Sequence, residues 1–362
     1  MKTKRTAALL LAAALFLAFA AGGCSRGRRL QIALVTDGGT IRDRTYNQGA
    51  WEGISAASET LGFTPKSVQP GLEGNSTSDA YLERIDALYQ EGYRIFVLPG
   101  LLFTEALEQA QEKYADCHFI AVDFVPATVG PNTVCLSFAD EQAAFLAGFA
   151  AALELKEGAF GGIFGMALPA AQRSSWGFQQ GVLYANEHYG TNVTLDAQNF
   201  VYADTYSDAS KGQQLAAELY DRGVRCIFSA AGQTGTGVIT EARARTAAGE
   251  TLWCVGADVD QTQLGVYQGS DSVVVTSASK NISGAVQQVI ESIADDEFPG
   301  GQTLVYDVSN DGVGIPLPEE PKGDEELSGN LSAETLAAVK ALYQQLKSGE
   351  VTVSVTGEGL IP

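Results

Sequence analysis

The sequence predicts an α/β protein built from two doubly wound lobes of similar size. Short apolar runs alternate with amphipathic helical stretches, and this alternation starts a second time near residue 141. Continuous apolar strands separated by helices are typical of a parallel sheet covered on both faces. About 330 residues follow the N-terminal apolar segment, which is long for a single hydrophobic core, so two lobes are expected.

The N-terminus has the pattern of an export signal. Lys2, Lys4 and Arg5 precede an uncharged apolar run over residues 7–20, which is short for a membrane span of roughly 20 residues. Small residues at 21–23 then lead to Cys24, as in the lipid-acceptor pattern of bacterial lipoproteins. Residues 1–23 are therefore predicted to be a lipoprotein signal peptide, and residues 24–29 a linker to the lipid anchor. An ordinary cleaved signal and a retained anchor helix are the alternatives.

The first series of elements follows this segment. Its strands carry uninterrupted apolar runs such as QIALVT and IFVL, and its helices have apolar residues at helical spacing. The predicted order is strand 31–36, helix 47–61, helix 79–91, strand 95–98, helix 104–114 and strand 119–122.

The second series repeats the same pattern and is followed by a few extra elements. The predicted order is helix 141–155, strand 159–164, helix 173–189, strand 193–202, helix 208–222, strand 226–229, helix 235–248, strand 252–256, strand 273–277, helix 282–293, strand 303–308, a surface loop over 316–330 and helix 333–347. The last elements are too few for a third domain. We therefore expect them to complete the two sheets, with the chain crossing between lobes more than once.

The bulk composition excludes several classes of function. The formal net charge is −20, and about −23 once the signal is removed, so nucleic-acid binding is not expected. The two histidines, His118 and His188, have no neighbouring ligand cluster, so neither a metal nor another cofactor is predicted. Cys117, Cys135, Cys226 and Cys254 lie in or beside apolar runs without CxxC spacing, which favours buried thiols, although a disulfide stays open.

Ligands of open parallel sheets bind at the carboxyl ends of the strands. The residues directly after the predicted strands include the carboxylates Asp37, Asp123 and Asp258. The sequence therefore places its candidate chemistry at these strand ends. No catalytic residue is predicted, because neither histidine lies beside a serine or cysteine candidate and no Gly-x-Ser-x-Gly elbow occurs.

Several segments of the chain resemble the basic membrane protein (BMP) family of ABC-transporter substrate-binding lipoproteins, which includes purine nucleoside receptors. The segments appear in the family's order and span most of the chain after the signal. They are residues 32–39 (IALVTDGG), 45–48 (TYNQ), 50–53 (AWEG), 145–148 (FLAG), 169–178 (PAAQRSSWGF), 232–238 (GQTGTGV), 256–261 (GADVDQ) and 279–281 (SKN).

The resemblance implies a type I periplasmic-binding-protein fold, with two Rossmann-like lobes joined by a multi-stranded hinge. It also implies residues 30–137 with 279–302 as the N-terminal lobe and 138–278 with 303–362 as the C-terminal lobe. In nucleoside-binding members two aromatic rings sandwich the base, while carboxylates and a lysine hold the ribose. These roles correspond to Tyr46 and Tyr206 for the rings. The polar positions correspond to Asp37, Asn47, Asp123, Asp258 and Lys280.

The implied site agrees with elementary chemistry. Stacking of a base on an aromatic ring contributes about 1–3 kcal/mol, and a carboxylate accepts strong hydrogen bonds from a ribose diol. Asp258 and Lys280 are expected to be partners. The family usually has Phe where this chain has Tyr46 and Tyr206, and each extra hydroxyl needs a hydrogen-bond partner. Ser174 stands where an aromatic residue is common in the family, which widens the expected cleft.

The expected function is therefore that of an extracytoplasmic, membrane-anchored importer component. It is expected to bind a nucleoside, with a purine preferred, and to deliver it to an ABC permease with its ATPase; a monomer is expected. A ligand sensor for a membrane receptor is the first alternative. A nucleoside hydrolase is the second, since paired carboxylates such as Asp37 and Asp123 are also used in glycoside chemistry.

Overall fold

In the computed structural model, residues 30–70, 77–317 and 330–362 are described. The predicted signal segment 1–23, the linker with Cys24 and most of the predicted surface loop lie outside these residues. The described strands are β1 (Ile32–Val35), β2 (Lys66–Val68), β3 (Ile95–Pro99), β4 (His118–Val122), β5 (Thr133–Phe138), β6 (Glu157–Phe164), β7 (Asn192–Tyr202), β8 (Val224–Ala230), β9 (Trp253–Asp258), β10 (Val266–Gln268), β11 (Asp271–Ser272), β12 (Val274–Lys280), β13 (Gln302–Tyr306) and β14 (Val313–Gly314).

The helices alternate with these strands. They are α1 (Tyr46–Leu61), α2 (Ser78–Gln90), α3 (Thr104–Lys113), α4 (Asp140–Leu155), α5 (Pro169–Tyr189), α6 (Ala209–Asp221), α7 (Gln233–Ala247), α8 (Ile282–Ala294) and α9 (Ala333–Ser348). Short 3₁₀ turns lie at Leu101–Phe103, Thr262–Gly265 and Val308–Asn310.

Two six-stranded sheets form within the described residues, one in each lobe. The first has the order β13-β5-β4-β3-β1-β2, and all its neighbouring pairs are parallel. The second has the order β14-β12-β9-β8-β6-β7 and is parallel except for the edge strand β14. The prediction of two Rossmann-like lobes is confirmed.

Each sheet is covered by helices on both faces. In the first lobe, α1 and α8 pack together on one face, while α2 and α3 cover the other. A Cβ at Gly53 of α1 would lie 2.4 Å from the Ser283 carbonyl oxygen of α8, so only glycine allows these helices to approach so closely. In the second lobe, α4 pairs with α5 and α6 pairs with α7. The central strands are buried on both faces, as their continuous apolar runs predict.

The chain crosses between the two sheets three times, which forms the hinge. The crossings follow β5, β12 and β13. They also contact one another: the backbone N–H of Ala139 donates to the Tyr306 carbonyl at 2.9 Å, and that of Asn281 donates to Gly312 at 2.8 Å. The multi-stranded hinge is therefore confirmed.

The predicted lobe boundaries need two corrections. The assignment of residues 303–362 to the C-terminal lobe is wrong for β13, which pairs in parallel with β5 of the first sheet. The assignment of residues 279–302 to the N-terminal lobe is wrong for residues 279–280, which continue β12 and pair with β14 of the second sheet. Both errors arise at hinge crossings, because sequence pattern identifies a strand but not the sheet that it joins.

Five of the described strands lie outside the predicted set: β2, β5 and the short β10, β11 and β14, which have only two or three residues each. The edge strand β2 is three residues long and half-buried, so it has no apolar run to mark it. The strand β5 does carry an apolar pattern, TVCLSF, with five of its six residues buried. Its carboxyl end leads directly into α4, whose first residue, Asp140, lies in the candidate site. Because β5 is not predicted, Asp140 is not predicted either.

Candidate ligand-binding cleft

The predicted polar and aromatic residues meet in a cleft between the lobes, at the carboxyl ends of the strands. The cleft contains about 770 Å³ of space free of protein atoms, part of it open to solvent. It is lined from the first lobe by Asp37, Tyr46, Gly100, Leu101, Leu102 and Asp123, and from the second by Ser174, Tyr206, Phe228, Gly232, Asp258 and Lys280. Asn47 lines a neighbouring pocket, which shares Asp37, Tyr46 and Tyr206 with this cleft. All seven predicted ligand residues are thus brought together.

Asp37 is held in place by its own loop. It lies two residues after β1, is 5 % exposed, and accepts hydrogen bonds from the backbone N–H groups of Gly38 and Gly39 at 2.5 and 3.2 Å. Tyr46 donates its hydroxyl to Asp37 Oδ2, and Asn47 donates its side-chain amide to Asp37 Oδ1 at 2.9 Å. The carboxylate therefore organises the start of α1.

Asn47 connects two carboxylates. Its Nδ2 also donates to Asp43 Oδ2 at 2.7 Å, while Asp43 Oδ1 accepts from the backbone N–H groups of Thr45 and Gln48 at the first turn of α1. The two bonds to Nδ2 fix the orientation of the amide, and Asn47 Oδ1 has no hydrogen-bond partner among the described residues. Burial raises the pKa of Asp43, although these hydrogen bonds oppose the shift.

The two tyrosine rings come from different lobes and each lies against a glycine. A Cβ at Gly100 would stand 3.1 Å from the Tyr46 ring, and Gly100 has a φ of +100° that also requires glycine. A Cβ at Gly165, directly after β6, would stand 2.1 Å from the Tyr206 ring. Burial raises the pKa of both tyrosines, so both hydroxyls stay protonated at neutral pH.

Lys280 lies at the centre of three carboxylates that come from both lobes. Its Nζ is 2.7 Å from Asp123 Oδ2, 2.7 Å from Asp140 Oδ1 and 3.3 Å from Asp258 Oδ1. The expected pairing of Asp258 with Lys280 is present, and Asp123 and Asp140 complete the group. We call these four residues the lysine cluster. Lys280 is far from an ordinary surface lysine, since its side chain is 9 % exposed.

Two members of the lysine cluster have unusual backbone conformations. Asp123 and Asp258 have φ angles of 65° and 70° at the ends of β4 and β9, a region that non-glycine residues adopt at an energetic cost. Each strand end thereby turns its carboxylate toward the cleft. Such strain is maintained at functional sites more often than elsewhere.

Asp140 is a residue that sequence reasoning missed. It is the first residue of α4, its side chain is 2 % exposed, and it binds both Lys280 and Arg173, the latter at 2.8 Å. Its position two residues after β5 follows the same strand-end rule that identified Asp37, so recognising β5 as a strand would have revealed it.

The charges of the lysine cluster shift the pKa of its members. Burial, together with Asp140 and Asp258, raises the pKa of Asp123 to about 7, although Lys280 opposes the shift. Burial alone would lower the pKa of Lys280, but the three carboxylates raise it well above its usual value. Burial disfavours the charged carboxylate, and Lys280 is shared by three carboxylates of which only Asp140 also binds Arg173, so Asp123 holds its proton more tightly.

Gln261 joins the two lobes directly at the cleft margin. Its side-chain Nε2 donates to the backbone carbonyl of Arg44 at 2.8 Å, and its Oε1 accepts from the backbone N–H of Ala257 at 3.1 Å. Gln261 is 4 % exposed. Together with the Lys280–Asp123 ion pair, this bond holds the lobes against one another.

The cysteines of the described residues are Cys117, Cys135, Cys226 and Cys254. All four are buried and free, which agrees with the interpretation as buried thiols. Within residues 30–70, 77–317 and 330–362, no group of three or more potential ligands could hold a metal ion. None of the helices in these ranges has the length and apolar character needed to cross a membrane.

The fold and the cleft define a class: a two-lobed solute-binding protein with its ligand space between the lobes. The chain belongs to the Bmp family, described as ABC transporter substrate-binding protein PnrA-like, whose profile matches residues 30–356. The ABC transporter nucleoside-binding protein BmpA of Lactococcus lactis is 30 % identical, over 90 % of this chain and 89 % of that protein. The CD4+ T-cell-stimulating antigen of Listeria monocytogenes is also 30 % identical, over 89 % and 87 %.

Solved structures show the same fold. The ABC transporter solute-binding protein of Aeropyrum pernix K1 superposes with a TM-score of 0.74 at 22 % identity, covering 90 % of this chain and 94 % of that one. The identified family is one of substrate-binding proteins and not a class of enzymes.

Proposed function

We propose that this protein binds a nucleoside, with purines preferred, between Tyr46 and Tyr206 and delivers it to an ABC permease. The observation that carries the proposal is the arrangement of the cleft. Two rings from opposite lobes and a cluster of carboxylates around Lys280 line one space of about 770 Å³.

The two rings suit a flat, polarizable base. A ring on each face provides contact area at low ordering cost, and such stacking contributes about 1–3 kcal/mol per base. Because Tyr46 belongs to the first lobe and Tyr206 to the second, lobe closure completes the stack. The small side chains of Ala170, Ala171 and Ser174 leave room on the second-lobe side.

The lysine cluster suits the ribose. Asp258, together with Asp123 in its ionised form, offers a charged acceptor for a vicinal diol, and Lys280 is a donor toward ribose oxygens. A ribose hydroxyl that approaches this cluster meets groups already held by ion pairs, so little ordering is required on binding.

Transport follows from closure. An open form binds ligand on one lobe, the hinge closes, and the second lobe adds its contacts; the ligand favours closure only as far as it binds the closed form better. The closed form is the one recognised by the permease and its ATPase. The protein acts as a monomer on the extracytoplasmic face of the membrane, held by a lipid on Cys24. Its relationship to the nucleoside-binding protein of L. lactis supports the choice of ligand.

Isothermal titration calorimetry of the chain from Ser25 onward tests the proposal. The ligands are adenosine, guanosine, inosine, cytidine, uridine, the free bases, ribose and riboflavin. Tight binding of purine nucleosides, with ribose and free bases much weaker, is the expected result. A folded, ligand-free protein that binds none of the nucleosides would exclude this ligand class while leaving the fold intact.

Two further measurements separate the alternatives. Release of free base on prolonged incubation with a bound nucleoside would establish a hydrolase instead. Nucleoside uptake by cells that carry or lack the gene distinguishes transport from sensing, since a sensor's loss leaves uptake unchanged.

A further inference from the structure

A second pocket borders the cleft and offers more free space. It contains about 1420 Å³ free of protein atoms, part of it open to solvent, against about 770 Å³ in the cleft. The two spaces have five lining residues in common, which are Asp37, Tyr46, Leu102, Tyr206 and Gly232. The cleft and the second pocket therefore meet at both tyrosine rings.

The lysine cluster lines only one of these two spaces. Asp123, Asp140, Asp258 and Lys280 all line the cleft, and none of the four lines the second pocket. In the proposed complex the ribose lies at the lysine cluster and the base lies between the rings. The edge of a purine that is farthest from the ribose, which carries the substituent at position 6, therefore faces the second pocket.

Apolar side chains from both lobes line the second pocket. Leu102, in the 3₁₀ turn after β3, belongs to the first lobe and is 40 % exposed, so much of its apolar surface is uncovered. Met166, two residues after β6, belongs to the second lobe and is half-buried. An apolar group that covers these side chains removes their surface from water, which is favourable in proportion to the area covered.

The charges around the second pocket are all of one sign. Asp37, Asp43 and Asp204 line it, and its lining residues within the described chain include no lysine, arginine or histidine. A carboxylate or phosphate placed there would meet like charges, which is unfavourable. The second pocket therefore suits an uncharged group and disfavours an anionic one.

We infer that the second pocket is a subsite for an uncharged, apolar substituent on the base, so that the ligands of this protein include purine nucleosides substituted at position 6. The substituent extends past the two rings and contacts Leu102 and Met166, while the base and the ribose keep the contacts proposed above. The inference rests on the proposed nucleoside ligand and deepens it, because it names the class of nucleoside that the site admits.

Calorimetry with three ligands tests this subsite: adenosine, N6-benzyladenosine and N6-(4-carboxybenzyl)adenosine. N6-benzyladenosine should bind within about tenfold of adenosine or more tightly, since apolar contact offsets the cost of ordering the substituent. The carboxylated analogue has nearly the same shape and should bind at least about tenfold more weakly than N6-benzyladenosine, because it meets the acidic lining. A loss of more than about tenfold for N6-benzyladenosine would overturn the inference, and so would equal affinities of the two substituted ligands.

Two substitutions locate the bound substituent. Met166→Ala should lower the affinity of N6-benzyladenosine relative to adenosine by about fivefold, which corresponds to about 40 Å² of lost apolar contact. Ser207→Trp places a bulky side chain at an exposed position of the second pocket and should lower this ratio by at least about tenfold. Leu183→Ala is the control, since it truncates an exposed apolar side chain of α5 outside both spaces, and it should leave the ratio unchanged.

The possible failures are distinguishable. A ratio that stays unchanged in both Met166→Ala and Ser207→Trp would show that the substituent lies elsewhere, which contradicts the inference. If the wild type does not bind adenosine either, the proposed function fails and this inference fails with it, whereas a loss confined to N6-benzyladenosine refutes the inference alone. Circular dichroism and thermal unfolding establish that each variant is folded, and the exposed Ser207→Trp provides the test if Met166→Ala does not fold.

Discussion

The two polar regions of the cleft differ in how they are assembled. The Asp37 network is local: Asp37, Asp43, Tyr46 and Asn47 lie within one loop and the first turn of α1, and hydrogen bonds compensate their charges. The lysine cluster is long-range, since Lys280 is 157 residues from Asp123 and its partners come from both lobes. The first region can form within one lobe, whereas the second requires the lobes to be brought together.

Removing Lys280 should cause the largest loss of unfolding free energy and ligand affinity, because it disrupts the lysine cluster and leaves the Asp37 network intact. Lys280→Ala leaves Asp123, Asp140 and Asp258 without their shared cation. Loss of one partner of a buried ion pair costs about 3–5 kcal/mol. We expect urea denaturation to show a loss of this size and calorimetry to show strongly weakened nucleoside binding.

Lys347→Ala is the matched control for this prediction. Lys347 pairs with Asp311 at 2.7 Å on the surface, where the side chains are 34 % and 65 % exposed. Exposed pairs contribute about 0–1 kcal/mol. Equal losses in the two variants would mean that the lysine cluster has no special role in stability.

The pH dependence of stability should also distinguish the two regions. The pKa of Asp123 is raised in the folded protein, from the usual 3.8 to about 7. Its contribution to stability is therefore present below about pH 4 and is lost as the pH rises through about 7. Relative to Asp123→Asn, the wild type should lose on the order of 2–4 kcal/mol of unfolding free energy over this range.

Asp271→Asn removes an equal charge from an exposed position and serves as the control for this pH effect. Its pH profile should follow that of the wild type. If Asp123→Asn also follows the wild type, Asp123 titrates as an ordinary carboxyl and the lysine cluster carries no excess charge.

The Asp37 network should show a smaller effect when Asn47 is truncated. Asn47→Ala removes the donor shared by Asp37 and Asp43, so two carboxylates face each other without it. We expect a loss of about 1–3 kcal/mol in unfolding free energy. Gln198→Ala, which removes a similar amide bond to the exposed Asp196 at 3.1 Å, should change stability by less than about 0.5 kcal/mol.

The smallest loss of stability is expected at Gln261, because its side chain joins the lobes through a hydrogen bond between uncharged groups. Gln261→Ala removes its bond to the Arg44 carbonyl and should cost about 1 kcal/mol in stability. Its nucleoside affinity should fall by several-fold, because the closed form loses an inter-lobe contact. Gln213→Ala, on the exposed face of α6, is the control, and an equal loss of affinity there would contradict the role of Gln261 in closure.

The local region was largely predictable. Asp37 follows a buried apolar strand, and Tyr46 and Asn47 begin a helix nine and ten residues later, so the strand-end rule and the family resemblance both lead to them. The sequence predicts that the Tyr46 hydroxyl needs a hydrogen-bond partner but does not say which residue that is. The partner is Asp37, because the turn between β1 and α1 brings the two side chains together, and sequence pattern does not specify this turn.

The sequence determined the α/β class, the two lobes and the strand-end position of the candidate site, because apolar periodicity and the order of elements along the chain are properties of neighbouring residues. Tertiary structure alone decided that β13 joins the first sheet, that Asp140 completes the lysine cluster, and that Lys280 binds carboxylates from both lobes. The physical reason is the same in each case. The pairing of β13 with β5 and the ion pairs of Lys280 with Asp123 and Asp140 join residues more than a hundred positions apart. No local sequence pattern encodes such contacts.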